Sequence, residues 1–441
     1  MLGCIVILAC NKMDVKPKQS LVVPETLQDL QGLMDNTAIM NSNFPSLGEI
    51  SSDNYYLTQT NYNSVSAIQH RNAYRWSQDI FEGVSIETDW DYSFQRVFYS
   101  NIVLDGLEKL DPLHTTAEYK NVKGQALFHR ALAFWGVSQL FCKTYNENTA
   151  SQDLGIPLRL SSDLNIKSVR STLQKTYDQV IGDMKQCINL LPDLSHYKTR
   201  PSKAVAYGML SRMYLAKADY NSAFLYADSC LKLYSTLINY NSLNSASSFP
   251  FTALNAEVVF QCNMPNNTIL GQSRAYIDPV LYQSYNGNDL RKTVFFGQIS
   301  TGINNFKGNY YGNGTQQFCG IGVDEVYLNR AEANARLGRT TEAMIDLNTL
   351  MISRFKTGTF VPFTAAGPSD ALVKILSERR KELLFRGIRW IDLRRLNKET
   401  AYAVTMQRTI GTDVYSIAPN DPRYVLPIPN YVINLSGILP N

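Results

Sequence analysis

The chain has 441 residues, of which 44% are hydrophobic and 18% are charged. This balance excludes a mainly disordered protein, and it provides enough apolar material for one large core or for two lobes. The formal net charge of +4 is too small, and the charges are too scattered, for a nucleic-acid-binding protein.

A short apolar run at residues 2–9 precedes Cys10 at the beginning of the chain. The run is too short to span a bilayer, and small apolar residues before a cysteine are typical of a bacterial lipoprotein cleavage site. Residues 1–9 are therefore predicted to be a lipoprotein signal peptide, truncated because no positive segment precedes the run, and Cys10 is predicted to carry the lipid. The alternative is that Cys10 is an ordinary cysteine. Residues 10–24 are polar and contain two prolines, which predicts a tether.

Two regions, residues 44–87 and 239–322, lack helical periodicity and are rich in asparagine and aromatic residues. A site for a carbohydrate needs flat aromatic faces surrounded by amide, carboxylate or guanidinium groups. Loops on a rigid scaffold are the usual place for such groups. The candidate ligand-binding residues in these regions are Asp53, Tyr55, Tyr56, Arg71, Asn72, Tyr74, Trp76, Tyr310 and Tyr311. A third candidate cluster joins residues 276–285 with the aromatic residues at positions 306, 310 and 311.

Each aromatic candidate has an alternative explanation. Trp76 is the tryptophan in a polar, non-periodic context, and it either faces a ligand or packs under a loop. Tyr310 and Tyr311 lie in a turn-rich loop, which either binds ligand or is a solvated turn. The other tryptophans, Trp90, Trp135 and Trp390, are predicted to lie in helical cores.

Helical periodicity is strong in the middle of the chain. Hydrophobic residues recur at i, i+4 and i+7 within residues 118–141 and 172–191, and Pro192 ends the second helix. Residues 203–233 and 324–354 each predict two helices joined by a short turn, with small residues where the helices cross. These helix pairs are similar to tetratricopeptide units, which bury their apolar faces by stacking on one another.

Charged and large apolar residues alternate in the segment 378–395. Glu378 and Glu382 are four residues apart and share one helix face, and Gly387 can end or bend the helix. Carboxylate–guanidinium pairs beside a tryptophan predict a structural clamp between helices, formed by Glu378, Arg379, Glu382, Arg389 and Asp392. An acidic catalytic pair is the weaker alternative, because each carboxylate has an Arg or Lys near it that keeps it ionised.

The sequence contains little that indicates catalysis or a cofactor. Seven cysteines and four histidines are scattered without metal-ligand or disulfide-framework spacing. No nucleophile-elbow, zinc-protease, P-loop or dinucleotide motif occurs. Asp89 and Asp91 are two residues apart on a predicted helix, so they point to different faces and cannot flank one glycosidic bond.

The segment 378–395 also resembles the C-terminal signature of the SusD/RagB family, Glu-Arg-x-x-Glu-Leu-x-Phe-x-Gly-x-Arg-Trp-x-Asp-Leu-x-Arg. The family's usual residue before the glycine is Glu, whereas this chain has Arg386. A second match, Tyr-Val-Leu-Pro-Ile-Pro, begins at Tyr424, and further matches occur within residues 122–145, 177–192 and 325–333.

The resemblance implies a mainly α-helical superhelix of tetratricopeptide-like pairs with irregular loops and a few short strands. Residues 25–238 and 239–441 would be the two regions of one compact body. The family consists of lipoproteins on the cell surface of Bacteroidetes, which bind nutrients and dock on a SusC-like TonB-dependent transporter of the outer membrane. Their ligands are bound by loops after the first N-terminal helix and before the last helical pair.

We therefore predict a lipid-anchored, surface-exposed outer-membrane protein that binds an oligosaccharide and passes it to the transporter without catalysis. The alternative from another class is a surface lipoprotein that uses tetratricopeptide-like units to bind a peptide or a protein. An enzyme is the third alternative. No cofactor, no metal and no nucleic acid is predicted, and the lipid is the predicted contact with the membrane.

Overall fold

The computed structural model describes residues 24–110 and 113–441 of the chain. Over these residues the protein is mainly α-helical, with helices stacked in pairs and a few short strands, which confirms the predicted fold class. The predicted signal peptide, Cys10 and all but the last residue of the predicted tether lie outside the described residues. Within the part that is described, no helix is both long and apolar enough to cross a membrane.

The N-terminal region contains short helices connected by irregular segments. Thr26 begins the first helix with a capping box, in which its hydroxyl accepts the Asp29 N–H and the Asp29 carboxylate accepts the Thr26 N–H. Helices of only five to seven residues lie within residues 44–87, too short to show a helical period in the sequence. The elements are α1 (Leu27–Met34), α2 (Thr37–Met40), α3 (Leu47–Ser51), β1 (Tyr55–Tyr56), α4 (Gln59–Asn63) and α5 (Ile68–Tyr74).

Long helices form the scaffold in the middle of the chain. Thr116, Thr172 and Ser202 each accept a backbone N–H three residues later, and so begin three of these helices. The predicted helices 118–141 and 172–191 correspond to α7 and α8. The elements are α6 (Thr88–Leu107), α7 (Ala117–Phe141), β2 (Leu154–Pro157), β3 (Arg170–Thr172), α8 (Leu173–Ile188), α9 (Lys203–Lys217) and α10 (Tyr220–Leu233).

The second half of the chain contains both short strands and helices. Its strands are β4 (Val258–Phe260), β5 (Tyr276–Ile277), β6 (Phe296–Ser300), β7 (Ile303–Phe306), β8 (Ile321–Gly322), β9 (Met406–Ile410) and β10 (Asp413–Ile417). Its helices are α11 (Pro279–Gln283), α12 (Arg291–Val294), α13 (Val323–Arg336), α14 (Thr340–Ile352), α15 (Pro368–Glu382), α16 (Arg389–Leu396) and α17 (Asn430–Ser436).

The two predicted helix pairs are α9 with α10 and α13 with α14, and α13 also packs on α9 and α10. Small residues permit this approach, since a methyl group on Gly208 of α9 would lie 3.5 Å from Cys230 of α10 and 3.6 Å from Val326 of α13. Polar contacts fix the register of the two pairs. The Asn329 amide donates to the Ser211 hydroxyl at 2.9 Å, and Arg212 pairs with Glu325 at 2.6 Å.

Four strands that are distant in sequence form one sheet in the order β1-β5-β7-β6, with all neighbours antiparallel. The sheet joins the irregular N-terminal region to the irregular region before α13. It therefore brings together the two loop regions in which the sequence predicts ligand binding.

Candidate functional site

One face of the four-stranded sheet presents a row of aromatic and amide side chains. Tyr56 of β1 is opposite Tyr276 of β5, and Tyr276 is opposite Asn305 of β7. Side chains in a strand alternate between faces, and the other face is occupied by buried Tyr55 and Ile277. Tyr56, Tyr276 and Asn305 are half-buried and share the outer face. We call these three residues the tyrosine shelf.

The shelf has the geometry of a small binding surface. The rings of Tyr56 and Tyr276 meet edge to face, with centroids 5.8 Å apart. Gly297 is opposite Asn305, and a methyl group there would lie 2.7 Å from Asn305 Oδ1, so the glycine leaves room for the amide. The Asn305 amide donates to the Gln272 carbonyl at 3.0 Å, which fixes its orientation.

Partial burial raises the pKa of the Tyr56 phenol, and the neighbouring Tyr276 ring adds to this effect. The phenol therefore keeps its proton at neutral pH and can donate a hydrogen bond to a ligand oxygen. Arg274 and Asn61 add polar groups near the shelf, since the Asn61 amide donates to the Arg274 carbonyl at 3.0 Å. Together these groups offer apolar ring surface with hydrogen-bonding groups at its edge.

The shelf rests on a buried layer of rings. Tyr74 contacts Tyr55 and Tyr62, with ring centroids 5.6 Å and 5.9 Å away, and its hydroxyl accepts the Leu57 N–H at 2.8 Å. Below this layer, the Arg408 guanidinium lies 3.7 Å from the centroid of the Tyr74 ring. The shelf is therefore supported by packed side chains rather than by a free loop.

Trp76 belongs to this buried layer. The sequence left open whether this tryptophan faces a ligand or packs under a loop, and in the structure it packs in the interior. The side chain is 3% exposed, and its indole N–H donates to the Ser51 carbonyl at 2.9 Å. Arg408 lies 4.7 Å from the Trp76 ring centroid. The indole is enclosed by these contacts, so no ring face is left for a ligand.

Other candidates are also buried by their own contacts. Tyr55, Asn72 and Tyr74 lie in the layer beneath the shelf and have almost no exposed surface. The Tyr310 hydroxyl donates to Glu257 at 2.7 Å and lies 2.9 Å from the Tyr240 hydroxyl in the interior. These four residues are buried in the structure, and each polar group already has a buried partner, so they support the site from below and their contact with a ligand stays a prediction.

The remaining candidates have at least some accessible surface. Arg71 is half-buried and donates to the Val65 carbonyl at 2.8 Å, and Tyr311 is half-buried in the turn-rich loop. Asp53 forms a pair with Arg389 at 2.7 Å and a longer one with Arg380 at 3.2 Å. Burial alone would raise the pKa of Asp53, but the two guanidinium groups hold it below its usual value. Asp53 therefore acts as an anchor for the chain just before β1.

All five residues of the predicted clamp take part in buried or nearly buried ion pairs. Glu378 and Glu382 both bind Arg291, and Glu382 also binds Arg354 at 2.8 Å. Arg379 binds Asp392 at 2.8 Å. These pairs tie α15 to α16 and to α12, and the Arg389–Asp53 pair ties α16 to the segment just before β1. The clamp thus positions the strand that carries Tyr56.

Three buried carboxylates, those of Glu257, Asp324 and Glu382, lie within 4.8 Å of one another among the described residues. Arg354 and Arg386 bind them, at 2.8 Å to Glu257 and 3.0 Å to Asp324. A cation site of carboxylates would not retain such guanidinium partners. The cluster is therefore an internal ion network.

The sequence did not single out Asn305 or the pairing of Tyr276 with Tyr56. Burial alternates along β7, but its sequence, Ile-Asn-Asn-Phe, does not alternate between apolar and polar residues, so the sequence held no local signal that Asn305 faces outward. The register between β1, β5 and β7 depends on strands more than 200 residues apart, so no local pattern could have provided it.

The chain is similar to known proteins both in sequence and in fold. Two family models match in succession: "Starch-binding associating with outer membrane" over residues 12–215, and "SusD family" over residues 225–440. A search of curated proteins gave no match.

Several solved structures have the same fold. A SusD superfamily protein from Bacteroides thetaiotaomicron has 21% identity and a TM-score of 0.75, covering 94% of this chain and 99% of its own. A surface glycan-binding protein A from Bacteroides uniformis has 18% identity and a TM-score of 0.71, covering 94% and 98%. A laminarin-binding SusD-like protein has 16% identity and a TM-score of 0.66, covering 93% and 97%.

Proposed function

The chain belongs to the SusD/RagB family, and from this premise we propose that it is a cell-surface protein that holds a glycan on the tyrosine shelf without cleaving it. The observation that carries the proposal is the cross-strand row of Tyr56, Tyr276 and Asn305. Two related folds are described as glycan-binding and laminarin-binding, and one family model as starch-binding. These descriptions support a glycan as the ligand class.

The physical basis is stacking combined with hydrogen bonding. The apolar face of a sugar ring packs on Tyr56 or Tyr276, and the phenols and amides at the edge bind its hydroxyl groups. Such an open, wet surface removes little apolar area from water, so the affinity for one short oligosaccharide is modest. The protein binds the glycan without breaking a bond, and the glycan is released when these contacts are lost.

The proposal includes anchoring by a lipid at Cys10 and delivery of the glycan to a SusC-like TonB-dependent transporter. Membership in the family supports both parts, and the family model's description associates its members with the outer membrane. A protein held at the surface by one lipid remains free to move against a transporter.

The experiment is calorimetric binding of laminarin-derived and starch-derived oligosaccharides to the purified protein, with neutral peptides as the second ligand class. We expect Tyr276→Ala to weaken glycan binding roughly five- to tenfold, as expected for the loss of one stacked ring. The matched control is Tyr197→Ala, which removes a tyrosine that is 55% exposed and lies outside the sheet. Circular dichroism confirms that both variants are folded.

Three outcomes would contradict the proposal. Equal weakening by both tyrosine variants would remove the shelf from the site. Binding of peptides but not of glycans would favour the alternative of a peptide-binding lipoprotein. Release of new reducing ends from the oligosaccharide during incubation would favour an enzyme.

A further inference from the structure

A second concave surface lies away from the sheet, between the loop after α7 and the segment after α16. The cleft has a volume of about 1160 Å³. This exceeds the roughly 300–1,000 Å³ of usual small-molecule pockets, so its size fits an oligomer better than a single small ion. Lys143, Asn146, Thr149 and Asn420 are exposed where it opens to solvent.

The side chains that line the cleft carry a net positive charge. Five are cationic, while Asp153 and Asp421 are the acidic ones among the lining residues; the cations are Lys143, Arg170, Arg394, Lys398 and Arg423. This leaves an excess of three positive charges. A main-chain carboxylate on the last lining residue, Asn441, would still leave an excess of two.

Each of the two acidic side chains is already paired with one cation. Lys143 binds Asp153 at 2.8 Å, and Arg423 binds Asp421 at 2.7 Å. The other three cations have no carboxylate within ion-pair distance among the described residues. The excess charge of the cleft therefore belongs to Arg170, Arg394 and Lys398.

These three cations bind backbone carbonyls, which orient them but do not neutralise their charge. Arg170 donates to the carbonyls of Gly155 at 2.7 Å and Pro440 at 3.0 Å. Arg394 donates to the carbonyls of Gln139 and Cys142, and Lys398 to that of Tyr145. Arg394 is 4% exposed, and its Nε has no hydrogen-bond partner in the described part of the chain.

The burial of these three cations changes their pKa values. Burial lowers the pKa of Arg170, of Arg394 and of Lys398, and the neighbouring Arg394 lowers that of Lys398 further. Like charges held together in a partly desolvated cleft attract an anion, which would relieve their repulsion. The side-chain amides of Asn146, Gln152 and Asn420 provide hydrogen-bonding groups for hydroxyls next to them.

We propose that this basic cleft binds an acidic oligosaccharide, whose carboxylate or sulfate groups lie at the cations without a carboxylate partner, Arg170, Arg394 and Lys398. The excess positive charge favours an anionic group, and the volume is large enough for a chain of several sugar rings. The side-chain amides bind the hydroxyls of these rings. The proposal is independent of the tyrosine shelf, because no residue of the shelf lines the cleft.

The test is calorimetric titration of the whole protein with a carboxylate-bearing probe, oligogalacturonate, and a sulfated probe, a heparin-derived oligosaccharide. A neutral starch-derived oligosaccharide of equal length is the third ligand. We expect the acidic probes to bind more weakly as salt is raised, because ions screen the partly exposed lysines. The substitution Lys398→Gln should weaken their binding roughly fivefold, because it removes the exposed member of the three unpaired cations.

Lys398 is exposed, so this variant is expected to fold normally, which circular dichroism checks. Lys356→Gln is the matched control, since Lys356 is exposed and does not line the cleft. Loss of acidic-probe binding in the cleft variant alone, with neutral-glycan binding unchanged, supports the proposal. Failure of both acidic probes to bind overturns it, as does acidic-probe binding that the cleft variant retains in full.

Discussion

Single arginines determine which aromatic side chains of this protein stay accessible. Arg408 donates to the carbonyls of Ile50, Ser52 and Tyr74, and its guanidinium also lies against the rings of Tyr55, Tyr74 and Trp76. A buried guanidinium needs both hydrogen bonds and polarisable surfaces around it, so it retains those rings in the interior. Tyr56 and Tyr276 lie beyond the reach of Arg408 and remain at the surface.

Arg386 shows how a departure from the family pattern is accommodated. It occupies the position where the family usually has Glu, and it binds Asp324 at 3.0 Å with its guanidinium 4.2 Å from the Tyr310 ring centroid. Burial alone would lower the pKa of Arg386, but the Asp324 carboxylate raises it above its usual value. The network is thus built around a cation at position 386.

Arg386→Glu should consequently destabilise the protein, although Glu is the family's usual residue there. It would place a carboxylate beside Asp324 in the interior, and we expect a loss of about 3–5 kcal/mol in the free energy of unfolding. Urea unfolding followed by circular dichroism measures it. The second substitution Asp324→Asn in the same chain should recover part of the loss, and an unchanged midpoint in the single variant would show that this pair is not needed for stability.

At the scale of elements, the two helix pairs have the same turn built from different residues. The residue after α9 is Ala218, with φ of 64°, and the corresponding residue after α13 is Gly338, with φ of 79°. An alanine in this left-handed region has a steric cost that glycine lacks. Nothing lies within 4 Å of a methyl group placed on Gly338, so backbone strain is the main difference between the two turns.

These turns form a matched pair for mutation. Ala218→Gly should raise the free energy of unfolding by roughly 0.5–1 kcal/mol, and Gly338→Ala should lower it by a similar amount. Thermal unfolding of the two variants next to the parent protein measures both changes. If both substitutions changed stability in the same direction, backbone strain could not be the cause.

The helix pairs also indicate what the sequence could provide and what it could not. Helices with repeated hydrophobic spacing, such as α7, and turns such as that at Gly338 follow from local patterns. The burial of Trp76 depends on Arg408, which is more than 300 residues away in the chain. A polar, non-periodic context does not distinguish an exposed tryptophan from one that packs on a distant cation, and for that reason the sequence left both alternatives open for Trp76.

For the whole molecule, buried ionisable groups make stability depend on pH. Burial raises the pKa of Glu87 to about 8, with nearby Asp89 adding to the effect, and raises those of Glu49 and Glu257 to about 7. Burial lowers the pKa of His129 to about 3. A carboxyl group with a raised pKa binds its proton more tightly in the folded state, whereas a histidine with a lowered pKa binds it less tightly.

Between pH 6.5 and 8.5 the carboxyl groups determine the sign. In the unfolded chain they are already ionised above pH 4.5, whereas in the folded protein they lose their protons only as the pH passes about 7 to 8. The folded state therefore holds more protons, and the free energy of unfolding falls as the pH rises. Below about pH 6.5 the buried histidines act in the opposite direction, because only the unfolded state can bind their protons.

Glu87→Gln isolates the largest contribution. One oxygen of Glu87 accepts the Asp89 N–H at 3.1 Å, while the other is buried without a partner among the described residues, so a neutral amide of the same shape can replace the protonated acid. We expect the stability advantage of the variant over the parent protein to be larger at pH 8.5 than near pH 6, by on the order of 1 kcal/mol, because the parent continues to lose stability over this range. Urea unfolding at both pH values measures this difference, with the exposed Glu342→Gln as control. If Glu87→Gln left the slope of stability against pH unchanged, Glu87 would not be the group that loses its proton in this range, and burial of the other carboxyl groups would have to account for the slope.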